Sequence, residues 1–288
     1  MSDFVEKKRF NMSDKEKQDI TNNVMHEKLI EYIDLINIQF REPATGIFAS
    51  LPMLVNNINN QNTEKAIENL HGVYKNTYAI LKGINNISVA AKFLGNYQFT
   101  KNTISFSELV NNVFSGSKIV LPGYLKINLD VEEGCFVEGN SMLLTVALLN
   151  LLLNSFDYRQ GDNVQVHVSL KKENGRCVLV YRDNSIGIKP HIAQEIFNPF
   201  FTVNPFDDGE QNGNMGIGLY IAQQAIKHAG GTILLQTEFS EGVSYLISIP
   251  DHMVYDDNIL RSSSSEMLLN RYSDIFIQLC EYCSLPDL

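Results

Sequence analysis

Asn150 and Asn154 lie one helical turn apart in residues 141–158, a stretch otherwise dominated by Leu, Val and Ala. A buried amide without a partner costs about 1–3 kcal/mol, so something polar is expected to meet this pair. Further on, R-D-N-S-I-G-I at residues 182–188 places Asp183 directly after a strand pattern, and Gly187 where backbone can approach a ligand closely. G-N-M-G-I-G-L at residues 213–219 then sets Gly213, Gly216 and Gly218 ahead of an apolar helical stretch, whose N-terminal amides favour an anion. Such a turn serves either as a packing or hinge device or as a phosphate cradle. Its spacing is not that of the dinucleotide fingerprint, and no G-K-[ST] of a P-loop exists. Cys280 and Cys283 form one C-x-x-C, which without a second Cys or His pair reads as helix-packing thiols rather than a zinc or redox site. His167, His191, His228 and His252 show no metal-site spacing.

The elements that must position these residues follow from periodicity. Residues 1–23 are a polar segment that frays or begins a helix. From Val24, Leu29, Ile33, Ile36 and Phe40 recur at helical spacing, and the pattern resumes after Pro43, expected to kink it, through Ile47, Leu51 and Leu54. Residues 56–63 are a polar turn, with Thr63 and Glu64 as the expected cap. Val73, Ile80, Ile87 and Leu94 fall seven apart, with Leu70 and Ile84 in the second seam position. Residues 24–97 are therefore a helical hairpin, and seams that two helices cannot enclose predict a homodimeric four-helix bundle. In residues 98–250 the rhythm changes. Apolar residues alternate through 125–131, 164–170, 177–181, 232–236 and 243–249, with helical stretches at 141–158 and 216–229. Half-apolar strands covered by helices make an α+β chain whose second part is a two-layer α/β sandwich. A tail, residues 251–288, carries a predicted helix around 267–283.

Composition excludes several classes. Lys plus Arg is 23 and Asp plus Glu 33, so the formal charge is 23 − 33 = −10, which disfavours a duplex-binding surface. Residues 142–153 are broken by Thr145 and Asn150 and fall short of the ~20 needed to span a bilayer, and the first ten residues have no apolar signal region. No nucleic-acid partner, no membrane insertion and a cytoplasmic location are the expectations.

In their order, these motifs make residues 104–250 resemble the histidine-kinase branch of the gyrase, chaperone and mismatch-repair ATPase superfamily. N-L-L-L-N-S (150–155) is similar to the N box, D-N-S-I-G-I to the first glycine box, I-F-N-P-F-F-T (196–202) to the F box and G-N-M-G-I-G-L to the second glycine box. H-A-G-G-T-I (228–233) and V-S-Y-L-I-S-I-P (243–250) resemble the closing strands. The resemblance implies ATP and Mg²⁺ as ligands, with Asn154 as a magnesium-ligating oxygen donor and Asp183 accepting from the adenine amino group. Asn150 takes the slot where hydrolases of the superfamily carry a water-activating Glu. Gly187 and Ile188 would flank the base, Gly213, Gly216, Gly218 and Leu219 would lie near the phosphates, and residues 203–212 would form a lid.

Departures from the pattern matter as much. Ser185 replaces a Gly, which costs about 1 kcal/mol if the position needs positive φ. Asp157 stands where many kinases carry Lys or Arg; a unit charge ~6 Å from a phosphate at effective dielectric ~20 is worth roughly 3 kcal/mol. Either Tyr158 or Arg159 compensates, or Asp157 points to solvent. F-R-E-P-A-T-G-I (40–47) resembles the end of the family's phosphoacceptor box, which puts Ile38 in the histidine slot and Gln39 in the acidic slot. Ile has no lone pair to attack phosphorus, and Gln cannot accept a proton. The expectation is an ATP-binding, histidine-kinase-like protein of a two-component pathway that lacks the usual phosphoacceptor, with a response-regulator receiver domain among its conceivable partners and no sensor segment ahead of Val24. The alternatives are an active kinase using His26, His71 or a partner in trans, and a non-catalytic scaffold or anti-sigma-type binder.

Overall fold

A computed structural model describes residues 14–121, 123–202, 215–239, 241–252, 273–279 and 282. Helix α1 (Asp14–Asn59) leads into α2 (Thr63–Leu94), which folds back along it as the predicted hairpin. Pro43 and Pro52 lie inside α1 without ending it. Each removes one backbone donor, so the carbonyls of Gln39 and Phe48 lose their helical partners. The cap of α2 is not Thr63 but Asn62, whose side chain accepts from the Lys65 amide at 3.3 Å, Asn being the stronger capping residue.

Strand β1 (Asn102–Ser105) pairs antiparallel with β3 (Phe136–Gly139). The main sheet has the order β2 (Leu125–Val131), β4 (Val164–Glu173), β5 (Arg176–Asp183), β7 (Ser244–Pro250), β6 (Thr232–Leu235), with β2 and β4 parallel and the other neighbours antiparallel. Val164, Val166, Val168 and Leu170 are buried while the residues between them are not, the period-two signature of a sheet covered on one side. The covering layer is α3 (Phe106–Val120), α4 (Ser141–Asp157) and α5 (Gly218–His228), whose apolar residues share one core with the sheet. The two-layer sandwich is thus as expected. Helix α3 was not anticipated, although the sequence carries its signal: Ser105 accepts from the Glu108 amide at 3.4 Å, the S-x-x-E start of a capping box.

Helix α4 is apolar nearly all round and is buried from Leu143 to Leu153, which makes it the rigid centre of the sandwich. Of the tail helix, α6 (Asp274–Leu279) is described. Ile275 and Leu279 enter the main core, while Phe276 and Ile277 form a second cluster with Tyr78 of α2. The tail is wedged between hairpin and sandwich. The rest of its predicted helix with Cys280 and Cys283, the lid at 203–212, and Gly213 lie outside the described residues. No described helix is long and apolar enough to cross a membrane.

Candidate functional site

The site is built where α4 ends, where β5 runs into its loop, and where α5 begins. Asp183 closes β5 and is paired in register with Val166 of β4. Its Oδ1 accepts from the Ser185 amide (3.0 Å), the Ser185 hydroxyl (2.6 Å) and the Val243 amide (3.0 Å). Its Oδ2 accepts from the Ser155 hydroxyl. Ser155 has one proton and spends it on the carboxylate, so the Tyr181 hydroxyl, 2.6 Å away, is the donor to Ser155. Burial, together with the nearby Asp183 charge, pushes the Tyr181 phenol far up, which keeps it a donor. Three bonds fill Oδ1 and one engages Oδ2, so Oδ2 keeps an acceptor position for a ligand N–H.

Asp183 faces a cavity of about 500 Å³ that also receives Asn154, Tyr158, Gly187, Ile188 and Leu219. That volume suits a small organic ligand. Two hydrogen bonds fix its rim: the Ile186 backbone amide donates to the Tyr158 carbonyl at 3.0 Å, and the Gln160 side-chain Nε2 to the Ser185 carbonyl at 3.0 Å. The Asn154 carboxamide is held by the Tyr245 hydroxyl. A smaller cavity of about 90 Å³ adjoins the first through Asn154, Tyr158, Ile196, Phe201 and Leu219. It is lined by Asn150, Asp157, Gly216 and Gly218 from the sandwich, and by Gln39, Lys82 and Asn86 from the hairpin. Asn150 is 3% exposed and its Nδ2 has no partner; the Gln39 Oε1 is likewise buried and unpaired.

Glycine is required at the mouth for two reasons. Gly216 has φ +65°, and a Cβ there would lie 2.4 Å from the Phe201 carbonyl oxygen. A Cβ on Gly218 would lie 3.1 Å from Asn150 Oδ1, so α5 begins directly against that carboxamide. Both glycines thus let the chain pack tightly upon itself beside the smaller cavity, which they line.

Residues 139–253 match the family of histidine kinase-, DNA gyrase B-, and HSP90-like ATPases. The chain is 30% identical over 142 residues, 49% of its length and 19% of the relative's, to the CAI-1 autoinducer sensor kinase/phosphatase CqsS of Vibrio cholerae. It is 22% identical over 227 residues, 76% of its length and 26% of the relative's, to the autoinducer 2 sensor kinase/phosphatase LuxQ of Vibrio vulnificus. The chain is thus similar to two-component sensor kinases, with the histidine kinase-, DNA gyrase B-, and HSP90-like ATPase match confined to residues 139–253. It spans about a fifth to a quarter of the length of these two relatives. Among solved structures, the Acinetobacter baumannii histidine kinase AdeS shares the fold with TM-score 0.53 and 17% identity, over 74% of this chain and 97% of that one. Full-length ShkA in complex with AMPPNP does so with TM-score 0.51 and 17% identity, over 66% and 40%.

Of the family-type positions marked in the sequence, Asn150, Asn154, Tyr158, Asp183, Gly187, Ile188, Gly216, Gly218 and Leu219 all line the two adjoining cavities. Two expectations change. Ser185 is not among the described residues with positive φ, so no glycine is needed there; its hydroxyl instead supports Asp183. Asp157 does not simply face solvent: it lines the smaller cavity and accepts a hydrogen bond from Tyr282. Arg159 is committed elsewhere, donating to the Phe156 carbonyl at 2.7 Å and lying 5.8 Å from the centre of the Tyr282 ring. Sequence reasoning missed Ser155, Tyr181, Lys82 and Asn86. The hydroxyl next to Asn154 was a usable signal for the first; the others arrive by tertiary packing.

Proposed function

We propose that this histidine-kinase-type ATP-binding domain takes Mg-ATP across both cavities, adenine toward Asp183 and phosphates toward the hairpin, and serves nucleotide-dependent signalling in a two-component pathway. The supporting observation is the pair of adjoining cavities, with the Asp183 carboxylate at one end and, at the other, two carboxamides that each keep one buried unpaired atom, Asn150 Nδ2 and Gln39 Oε1. In this reading Asp183 Oδ2 accepts the adenine amino group while the Ser155 and Ser185 hydroxyls hold the carboxylate still. Gly187 and Ile188 line the base, and Gly216 and Gly218 line the phosphate end at the start of α5. Asn154 is the protein's oxygen donor to magnesium. Among the described residues no group of three or more His, Cys, Asp or Glu converges, so phosphate oxygens and water would supply most of the ion's shell.

Asn150 cannot take a proton from water, so hydrolysis is slow. Ile38 occupies the phosphoacceptor slot on the hairpin, and its neighbour Gln39 lines the phosphate end of the site, so the level that would receive a phosphoryl group carries neither nucleophile nor base. His26 lies twelve residues earlier on the unbroken α1, about 18 Å along its axis at ~1.5 Å per residue. Purified chain incubated with γ-labelled ATP is expected to carry no acid-labile label. Stoichiometric label on any histidine would overturn this part of the reading.

The hairpin is proposed to pair with a second copy. Phe48, Val55 and Ile58, which share one side of α1, and Ile67 and Ile84 on α2 are all exposed in a single chain, apolar area that a second hairpin would cover. A receiver domain as partner is consistent with the family.

A further inference from the structure

Among the described residues, four buried side-chain atoms have no hydrogen-bond partner: Gln39 Oε1, Asn150 Nδ2, His228 Nε2 and Gln278 Oε1. All four lie where the hairpin meets the rest of the chain. Gln39 of α1 and Asn150 of α4 line the smaller cavity, and Gln278 of α6 donates its Nε2 proton to Asn86 Oδ1 of α2 at 2.8 Å. His228, at the end of α5, meets Phe99 edge-on at 5.8 Å, and Phe99 lies 5.0 Å from Phe93 of α2. A buried polar atom left unpaired costs free energy that is recovered when water reaches it. The cost of docking is therefore concentrated at one junction.

Helix α6 offsets that cost with two faces. Ile275 and Leu279, four residues apart and so on one side of the helix, enter the core of the sandwich. Phe276 and Ile277 instead cluster with Tyr78 and Leu81 of α2 and Val120 of α3, Phe276 lying edge-on to Tyr78 at 5.2 Å. Beyond the helix, Tyr282 stacks on Phe156 at 4.7 Å and donates to Asp157, so the tail is anchored on the sandwich at both ends of this stretch. Its hold on the hairpin is a small apolar contact and the Gln278–Asn86 bond.

We propose that α6 is a latch: the hairpin docks reversibly on the sandwich, and the tail sets the balance between the docked and the open state. Interfaces within one chain that are polar rather than broadly apolar allow their parts to move relative to one another. In the docked state Gln39, Lys82, Gly83 and Asn86 of the hairpin wall the smaller cavity. Release of Phe276 from Tyr78 lifts that wall away, wets the unpaired atoms and uncovers Asn150 and the start of α5, while the sandwich stays folded.

The test is hydrogen exchange read by mass spectrometry on the full chain, as wild type, Phe276→Ala and Gln39→Met. Residues 78–90 and 274–279 report on the junction, and strands β4 and β5 serve as the reference. Phe276→Ala is expected to speed exchange at the junction at least about tenfold more than in the strands. Gln39→Met, which removes an unpaired acceptor at similar volume, is expected to slow junction exchange about threefold or more and to leave the strands unchanged. Phe276→Leu reads the same ratio if the alanine variant does not fold. Equal acceleration of junction and strands, or none in either, would make α6 ordinary core and overturn the latch. Junction exchange that is unchanged or faster in Gln39→Met would overturn it as well.

Discussion

Asp183 is the residue on which the site is hung, and its surroundings show how one carboxylate is kept fixed. Four donors hold it, two of them serine hydroxyls, and a buried tyrosine backs one of the serines. A hydrogen bond to a charged group is worth about 1.5–3 kcal/mol, so the Ser185 hydroxyl more than offsets the glycine it replaces. Ser185→Gly, which restores the residue typical of the family, is therefore expected to destabilise the fold by about 2 kcal/mol in denaturant unfolding, with the added freedom of glycine contributing to the loss. A neutral or stabilising result would show that the hydroxyl does not matter. Asp183 itself was legible in the sequence because a polar residue directly after an alternating strand is conspicuous. The Ser155–Tyr181 support was not, since nothing in local spacing says that a hydroxyl on α4 reaches β5.

Among the elements, those with long and regular patterns were legible and the short or docked ones were not. Strand β4 alternates over Val164, Val166, Val168 and Leu170, and α4 is apolar on every side, so each could be placed from sequence. Strands β1 and β3 have four residues each, too few alternations to stand out from a turn. The tail helix was expected, but its place was not, because its partners are distant in sequence. Phe276 meets Tyr78 edge-on at 5.2 Å, the Gln278 side-chain Nε2 donates to Asn86 Oδ1 at 2.8 Å, and Tyr282 stacks on Phe156 at 4.7 Å. The tail thus clamps α2, which carries Lys82 and Asn86, against α4, which carries the two asparagines. Phe276→Ala is expected to cost about 3 kcal/mol of stability, as for other buried phenylalanines. A loss below about 0.5 kcal/mol, the size of an ordinary surface change, would mean that the wedge contributes nothing.

At the scale of the whole molecule, hairpin, sandwich and tail meet around one site, and the hairpin leaves Phe48, Val55 and Ile58 exposed. Sedimentation equilibrium is expected to show a dimer, with Phe48→Glu shifting it toward monomer, because a charge placed in a buried helical seam has no partner. A monomer at micromolar concentration in the wild type would contradict the bundle. Such a docking of distant parts is what local periodicity does not encode: Gln39 was read as filling the acidic slot of the acceptor box, but only the fold brings it to the smaller cavity beside Asn150. The most direct test of the account is calorimetric titration of Mg-ADP into the intact chain and into Asp183→Asn. The account expects one nucleotide per chain and a loss of at least tenfold in affinity in the variant, with circular dichroism unchanged. Wild-type affinity in Asp183→Asn, or no binding by either protein, would contradict it.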